Sequence, residues 1–277
     1  MNTATDDREE GFAKLPDGGQ IAYEIHGPEH GGIPVLLIRP LGGTMALWGP
    51  FRALLAEELR VISFDFRGSG HSSADPAWVS TRGLARDALQ ILAHLGVARA
   101  HVFGVSLGGM TATWLAILAP AQVAKLCIAS APARGLSLTR AGLRRDLATA
   151  ACFARTGEEV EAALVHRILS RGFREAHPDE VRRIENVVRA EPASRTALVK
   201  HAVAGVLHDA RRGLRRIQAP TLVLAGENDT LLGTEPARAL SKAIPRATFE
   251  IIADAGHALT LEKPIVTATR VARFLLS

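Results

Sequence analysis

Cysteine is scarce in this sequence, because the 277 residues include only Cys127 and Cys152. Two cysteines exclude a disulfide scaffold and argue strongly against a thiolate metal site. Cys127 lies in an apolar run, Leu-Cys-Ile-Ala, which predicts a buried strand residue. Free thiols persist in a reducing compartment, so we expect the protein in the cytoplasm.

Long apolar runs are also missing. No stretch approaches the roughly 18–20 apolar residues that a helix needs to cross a bilayer, so we expect no membrane partner. The first ten residues are polar and acidic, without the basic and apolar regions of a signal peptide. We interpret Met1–Glu10 as a frayed tail.

Aromatic side chains make up only 5% of the chain, whereas 33 basic and 28 acidic residues leave a net charge of +5. The basic surplus is concentrated between Arg134 and Arg216, where Phe153 and Phe173 are the aromatic residues. Nucleic-acid surfaces interleave basic and aromatic residues, so we expect no nucleic-acid partner. The metal-binding spacing H-E-x-x-H and a G-x-G-x-x-G pattern after a strand are absent, so we expect neither a metal nor a cofactor.

Strand-like runs alternate with helical patterns in most of the chain. We predict strands over residues 20–26, 34–38, 60–65, 100–105, 123–129, 220–225 and 247–252. We predict helices over residues 45–59, 81–95, 107–118, 235–243 and 264–276. This alternation predicts a parallel sheet with helices on both faces.

The alternation is interrupted between residues 134 and 210, where no strand-like run occurs. Four helical patterns replace it, over residues 138–155, 158–170, 179–190 and 193–209. We therefore predict an α/β core formed by residues 1–133 and 211–277, with residues 134–210 inserted as a helical cap.

The sharpest motif is Gly104-Val105-Ser106-Leu107-Gly108-Gly109, which falls where a predicted strand passes into a predicted helix. A serine in such a turn is held in a strained backbone conformation with its hydroxyl above the sheet. Glycine two positions to either side avoids a clash across the tight turn. The alternative interpretation is a glycine-rich helix start that binds an anion or nothing. We predict that Ser106 is a nucleophile.

A serine hydroxyl needs a base, and the base needs an acid that fixes its tautomer. His257 follows the last predicted strand, and Asp229 follows the strand before it, so both lie at the same sheet edge as Ser106. Glu227 and Asp254 are competing acids. We favour Asp229 because the loop must reach a few residues beyond its strand, and Asp254 is close enough to His257 to shape its loop instead.

These motifs resemble the α/β-hydrolase superfamily over residues 18–277, and Asp65–Ser72 is similar to its D-x-R-G-x-G-x-S stretch. Within the superfamily, the chain looks most like the 3-oxoadipate enol-lactonases and related carboxylesterases. The turn Gly104–Met110 and the strand entry Ile217–Val223 carry that likeness. The resemblance implies an α/β-hydrolase fold with a mostly parallel eight-stranded sheet and an inserted four-helix cap.

The resemblance also implies an oxyanion hole made by the backbone N–H groups of Leu41 and Leu107. Many family members have His-Gly where this chain has Arg39-Pro40. Arg39 is a candidate substrate-binding residue for an anionic group. The alternative, which we weigh more heavily, is a structural ion pair with a carboxylate on a neighbouring loop.

The sequence thus predicts a cofactor-free serine hydrolase, an esterase or lactonase, that cleaves a small carboxylic ester or lactone through an acyl-enzyme on Ser106. A cofactor-free oxygenase, a perhydrolase or an acyltransferase with the same triad is the first alternative, and a non-enzymatic receptor of small ligands is the second. We expect His166, His201 and His208 to lie at the surface or between helices rather than on the ligand. The sequence leaves the oligomeric state open.

Overall fold

The computed structural model describes residues 8–29, 32–73, 78–135, 144, 159–190 and 194–277. Its strands are β1 Glu9–Lys14, β2 Gln20–His26, β3 Val35–Ile38, β4 Val61–Phe64, β5 Ala100–Val105, β6 Val123–Ala129, β7 Thr221–Gly226 and β8 Ala247–Ile252. They form one eight-stranded sheet in the order β1-β2-β4-β3-β5-β6-β7-β8. β2 pairs antiparallel with both β1 and β4, and the other neighbours are parallel. The predicted mostly parallel sheet is confirmed.

The strand at the edge of the sheet corrects the interpretation of Met1–Glu10 as a tail at its last two residues, whereas residues 1–7 lie outside the described residues. Glu9 and Glu10 belong to β1, which pairs with β2. Only Ala13 is fully buried in β1, and Phe12 is 53% exposed. Backbone pairing at the sheet edge, rather than burial of one face, therefore forms this strand, and no clear apolar alternation announces it in the sequence.

The helices of the described residues are α1 Gly49–Ala56, α2 Thr81–His94, α3 Leu107–Leu118, α4 Glu159–Ile168, α5 Arg171–Ala176, α6 Pro178–Ala190, α7 Arg195–Val206, α8 Glu235–Ala243, α9 Leu259–Glu262 and α10 Pro264–Leu276. The apolar residues that α2, α3 and α8 bury join one hydrophobic cluster, and those of α1 and α10 join a second on the opposite face. Helices therefore cover both faces of the sheet, as predicted. Within the described ranges, no helix is both long and apolar enough to span a membrane.

The helix predicted over residues 45–59 is divided into two. A 3₁₀ helix over Met45–Trp48 ends at Gly49, whose φ is 32°, and α1 continues as far as Ala56. The helix predicted over residues 81–95 is α2, and Ser80 caps it, since the Ser80 hydroxyl accepts a hydrogen bond from the Gly83 N–H at 3.0 Å.

The predicted insertion contains α4, α5, α6 and α7, between β6 and β7. The helix predicted over residues 138–155 lies outside the described residues, apart from Arg144, and the short helix α5 was not predicted. The two ends of the insertion meet in a backbone bridge between Arg134 and Asp209. Next to it, the Ala210 N–H donates to the Ala133 carbonyl at 3.0 Å. On this contact we propose 134 and 210 as the limits of the cap.

Two buried histidines make the stability of the fold depend on pH. Burial lowers the pKa of His208 from 6.5 to about 4, although Asp209 and the Pro132 carbonyl oppose the shift. Burial, with Lys125 and Arg99 nearby, lowers the pKa of His101 from 6.5 to about 4. The folded state therefore keeps both rings neutral, whereas the unfolded chain takes up protons below pH 6.5.

We expect the thermal midpoint to be highest above pH 6.5 and to fall as the pH is lowered from 6.5 towards 4, the range between the unfolded and folded pKa values. His208→Gln should flatten that dependence in calorimetric melts across the range. If the thermal midpoint of His208→Gln fell as steeply with pH as that of the wild type, His208 would not contribute to the pH dependence.

Candidate active site

The parallel strands place the candidate residues at one edge of the sheet. Ser106 follows β5 directly, and Asp229 and His257 lie in the loops that leave β7 and β8. Because these strands run parallel, their carboxyl ends meet at the same edge, where ligands bind in open α/β sheets. The structure therefore brings together the three residues that the sequence predicts as nucleophile, acid and base.

The turn at Ser106 has the strained geometry that its sequence predicts. Ser106 has φ 55° and ψ −116°, a backbone conformation that few residues other than glycine adopt. Its N–H donates to the Ala129 carbonyl at 2.9 Å, which ties the turn to β6. A Cβ on Gly108 would overlap the Ile38 carbonyl, and one on Gly104 would overlap the backbone of Gly108. The two glycines therefore let the turn close tightly enough to present Ser106.

Asp229 and His257 form a buried pair. His257 Nδ1 lies 2.8 Å from Asp229 Oδ2, and Asp229 Oδ1 accepts the N–H groups of Leu231 and Leu232 at 2.8 and 2.9 Å. Burial raises the pKa of Asp229, but the charge and hydrogen bond of His257 and the two backbone N–H groups outweigh it, so the pKa is lowered overall. Asp229 is therefore charged at neutral pH and holds Nδ1 in its protonated form.

The two competing acids, Glu227 and Asp254, lie in a contact with each other, whereas His257 Nδ1 contacts Asp229. Glu227 and Asp254 are both exposed, and the Asp254 N–H donates to Glu227 Oε2 at 3.1 Å. Asp254 has φ 55°, a turn conformation that aspartate tolerates better than most residues. The pair shapes the loop that carries His257, which agrees with the preference for Asp229.

A buried carboxylate that the sequence did not single out fastens this loop to the insertion. Glu262 in α9 accepts hydrogen bonds from the Gly256 N–H at 3.0 Å and from the N–H and hydroxyl of Ser170 at 2.9 and 2.6 Å. Gly256 immediately precedes His257, and Ser170 is the N-cap of α5. No sequence pattern reveals this contact, since Ser170 and Glu262 are 92 residues apart.

Two apolar cavities meet at Ser106. A cavity of about 100 Å³ contains Ser106 and His257 in its wall. Its apolar lining comes largely from the insertion and the loops around the site: Leu47, Leu164, Val165, Ile168, Val188 and Leu261. A cavity of about 400 Å³ lies against Ser106, Leu107 and α7. The site can therefore exclude water around a substrate placed on Ser106.

The predicted oxyanion donors both border the site. Leu107 is the first residue of α3, so its N–H has no partner within the helix. Leu41 lines both cavities, in the turn closed by the Gly43 N–H and the Pro40 carbonyl at 3.4 Å. Their role in holding an oxyanion stays a prediction.

Arg39 is fully buried beside the loop that carries Leu41. Its guanidinium donates to the Gly43 carbonyl, lies 4.5 Å from the centre of the Phe66 ring, and has its Nε 3.9 Å from Asp65 Oδ1. Burial lowers the pKa of Arg39 to about 10, and Asp65 opposes that shift. These contacts favour the structural ion pair over the predicted substrate-binding role of Arg39.

We expect Arg39→Gln to lower the stability of the protein by about 3 kcal/mol, because the buried Asp65 carboxylate would lose the guanidinium charge beside it. Turnover of neutral and acid-bearing esters should fall by the same factor, since the loop that carries Leu41 loses its support. The thermal midpoint and both rates can be measured on one variant. An unchanged midpoint, with a loss confined to the acid-bearing ester, would restore the substrate-binding interpretation.

Most of the chain matches proteins of known family. The model of the family described as alpha/beta hydrolase fold matches residues 33–264. A Variovorax paradoxus protein named "Putative carbamate hydrolase RutD" is 33% identical over 272 residues, or 91% of this chain and 95% of the relative. The 3-oxoadipate enol-lactonase 1 of Acinetobacter baylyi is 28% identical over 247 residues, or 89% of this chain and 90% of the relative.

The crystal structure of the enol-lactonase from Burkholderia xenovorans LB400 superposes with a TM-score of 0.84 at 26% identity, covering 96% of this chain and 100% of that one. The eight-stranded sheet, the strained serine turn and the order of Ser106, Asp229 and His257 along the chain agree with this likeness. The chain belongs to the α/β-hydrolase family.

Proposed function

We propose that this protein is a serine hydrolase that cleaves a small carboxylic ester or lactone through an acyl-enzyme on Ser106. The proposal rests mainly on one observation: His257, whose Nδ1 lies 2.8 Å from the buried Asp229, lines the same cavity as the strained Ser106. The likeness to an enol-lactonase over most of the chain also supports a substrate of this kind.

His257 acts as the base in this mechanism. Its Nδ1–H donates to Asp229, which leaves the lone pair of Nε2 to take a proton. Nε2 is buried and has no hydrogen-bond partner among the described residues. As the Ser106 hydroxyl oxygen attacks the substrate carbonyl carbon, its proton passes to Nε2, and the charge of Asp229 stabilises the imidazolium.

The attack converts the carbonyl oxygen into an oxyanion. The N–H groups of Leu41 and Leu107 stabilise it, and they are worth more in an apolar cavity than in water. The intermediate collapses by breaking the bond to the leaving alcohol, which takes the proton from His257 Nε2. Water then attacks the acyl-enzyme with His257 as base, and the carboxylic acid and free Ser106 are released.

A labelling experiment combined with a turnover assay tests the proposal. A fluorophosphonate probe should label Ser106, and the wild-type protein should hydrolyse phenyl acetate or δ-valerolactone in a pH-stat. Methyl carbamates belong in the same series, because the 33% identical relative is named for carbamate hydrolysis. A protein that neither reacts with the probe nor hydrolyses any of these compounds would contradict the proposal and favour a ligand receptor.

The same assay separates the alternative reactions of this fold. Added hydrogen peroxide should divert the acyl group to a peracid if the protein is a perhydrolase, and an added alcohol should divert it to a new ester if it is an acyltransferase. Oxygen consumption with a reducing organic substrate would indicate an oxygenase. We expect hydrolysis to dominate in each case.

A further inference from the structure

Arg167, near the end of α4, places a cation over the active-site cavity. It lines the cavity that contains Ser106 and His257. Its Nη1 donates to the carbonyl of Thr230, the residue after Asp229, at 3.4 Å, and its Nε is buried without a hydrogen-bond partner in the described part of the chain. The insertion therefore holds a guanidinium close to the catalytic residues while leaving some of its donors unused.

The charge of Arg167 is not balanced within the cavity. The described lining residues include no aspartate or glutamate, and their two arginines differ in their surroundings. Arg39 lies against Asp65, whereas no ion pair joins Arg167 to a carboxylate among the described residues. Elsewhere on the insertion arginines are paired, for example Arg171 with Glu175 at 2.7 Å.

Arg167 is half-buried, and a guanidinium in a largely apolar wall without a carboxylate is stabilised when an anion binds beside it. Leu164 and Ile168, on the same face of α4, line the cavity beside Arg167. Arginine recognises planar carboxylates through two parallel hydrogen bonds. The surroundings therefore suit a ligand with a short apolar body and a carboxylate that reaches the insertion.

We propose that Arg167 binds a carboxylate of the substrate, so that the preferred substrate is a small ester or lactone that carries a second, free acid group. The inference rests on the proposed function and specifies its substrate class. The ester carbonyl lies at Ser106, and the free carboxylate lies at Arg167, on the side of the cavity formed by α4. Arg167 thereby determines substrate charge specificity in place of Arg39, which is fully buried and already has the Asp65 carboxylate as its counter-charge.

The test compares two esters of similar size. Monomethyl glutarate carries a carboxylate, and methyl 5-methylhexanoate has an isopropyl group in its place. Wild-type protein should have the higher kcat/KM for the acid. Arg167→Gln should raise KM for the acid about ten-fold or more relative to its effect on the neutral ester, equivalent to about 1.4 kcal/mol or more where KM reports binding. Arg171→Gln removes a charge at an exposed site outside the cavity and is the control.

A binding measurement keeps this inference separate from the proposed function. Calorimetry of monomethyl glutarate with the Ser106→Ala variant should show binding that weakens about ten-fold or more when Arg167→Gln is added, even if turnover is slow. Failure of Ser106 to react with a fluorophosphonate would contradict the mechanism alone. Equal losses for both esters, as expected if Arg167 only fastens α4 to Thr230, or no selective binding of the acid, would overturn the role of Arg167.

Discussion

Ser106→Ala should lower the hydrolytic rate by at least about 10³-fold without unfolding the protein, because the proposed nucleophile is lost while the proposed oxyanion donors and the apolar cavity remain. The turn itself should survive. Alanine is smaller than serine, so it adds no steric strain at a position with φ 55°. The hydrogen bond from the N–H of residue 106 to the Ala129 carbonyl does not involve the side chain and is kept.

The measurement is kcat for a small neutral ester, accompanied by the thermal midpoint. Ser130→Ala is a matched control, since Ser130 also has positive φ, at 47°, and follows the next strand of the sheet. Its rate should stay within a few-fold of the wild type. A Ser106→Ala variant that retained wild-type turnover would exclude the acyl-enzyme mechanism.

Asp229→Asn should reduce turnover by about 10³–10⁴-fold, because the amide would select the wrong tautomer of His257. The direction of the amide follows from the structure. Oδ1 of Asp229 accepts two backbone N–H groups, at 2.8 and 2.9 Å, so the oxygen of an asparagine must stay there. Its NH₂ group then faces His257 and donates to Nδ1, which places the ring proton on Nε2 and removes the base.

The controls are the two competing acids. Glu227→Gln and Asp254→Asn alter exposed side chains, and the partner of His257 Nδ1 is Asp229 instead. Both variants should therefore leave turnover within about ten-fold of the wild type. Turnover and the pH profile of kcat should be measured for all three variants. If Glu227→Gln or Asp254→Asn lost most of its turnover while Asp229→Asn stayed active, the substituted residue rather than Asp229 would be the acid that orients His257.

Local sequence signals predicted several elements to the residue, including β5, α3 and α10. In β5 a largely apolar run, interrupted by His101, meets the glycine turn. In α10 the helix starts at Pro264, where a missing N–H costs nothing. Elements without such signals were missed. β1 is formed by pairing with β2, and α5 occupies only Arg171–Ala176, too short to show a helical period.

The linear sequence determined the order of Ser106, Asp229 and His257 along the chain and the loops in which they lie. The glycine turn and the ends of the strands are local properties of the chain, and they fix these positions. Only the tertiary structure decided how the charges are balanced. Ion pairing acts through space between distant residues, so the chain alone could not reveal that Asp65 accompanies the buried Arg39 or that Glu262 fastens Ser170, 92 residues away. It also could not reveal that Arg167, on an inserted helix, faces the cavity without a counter-charge among the described residues.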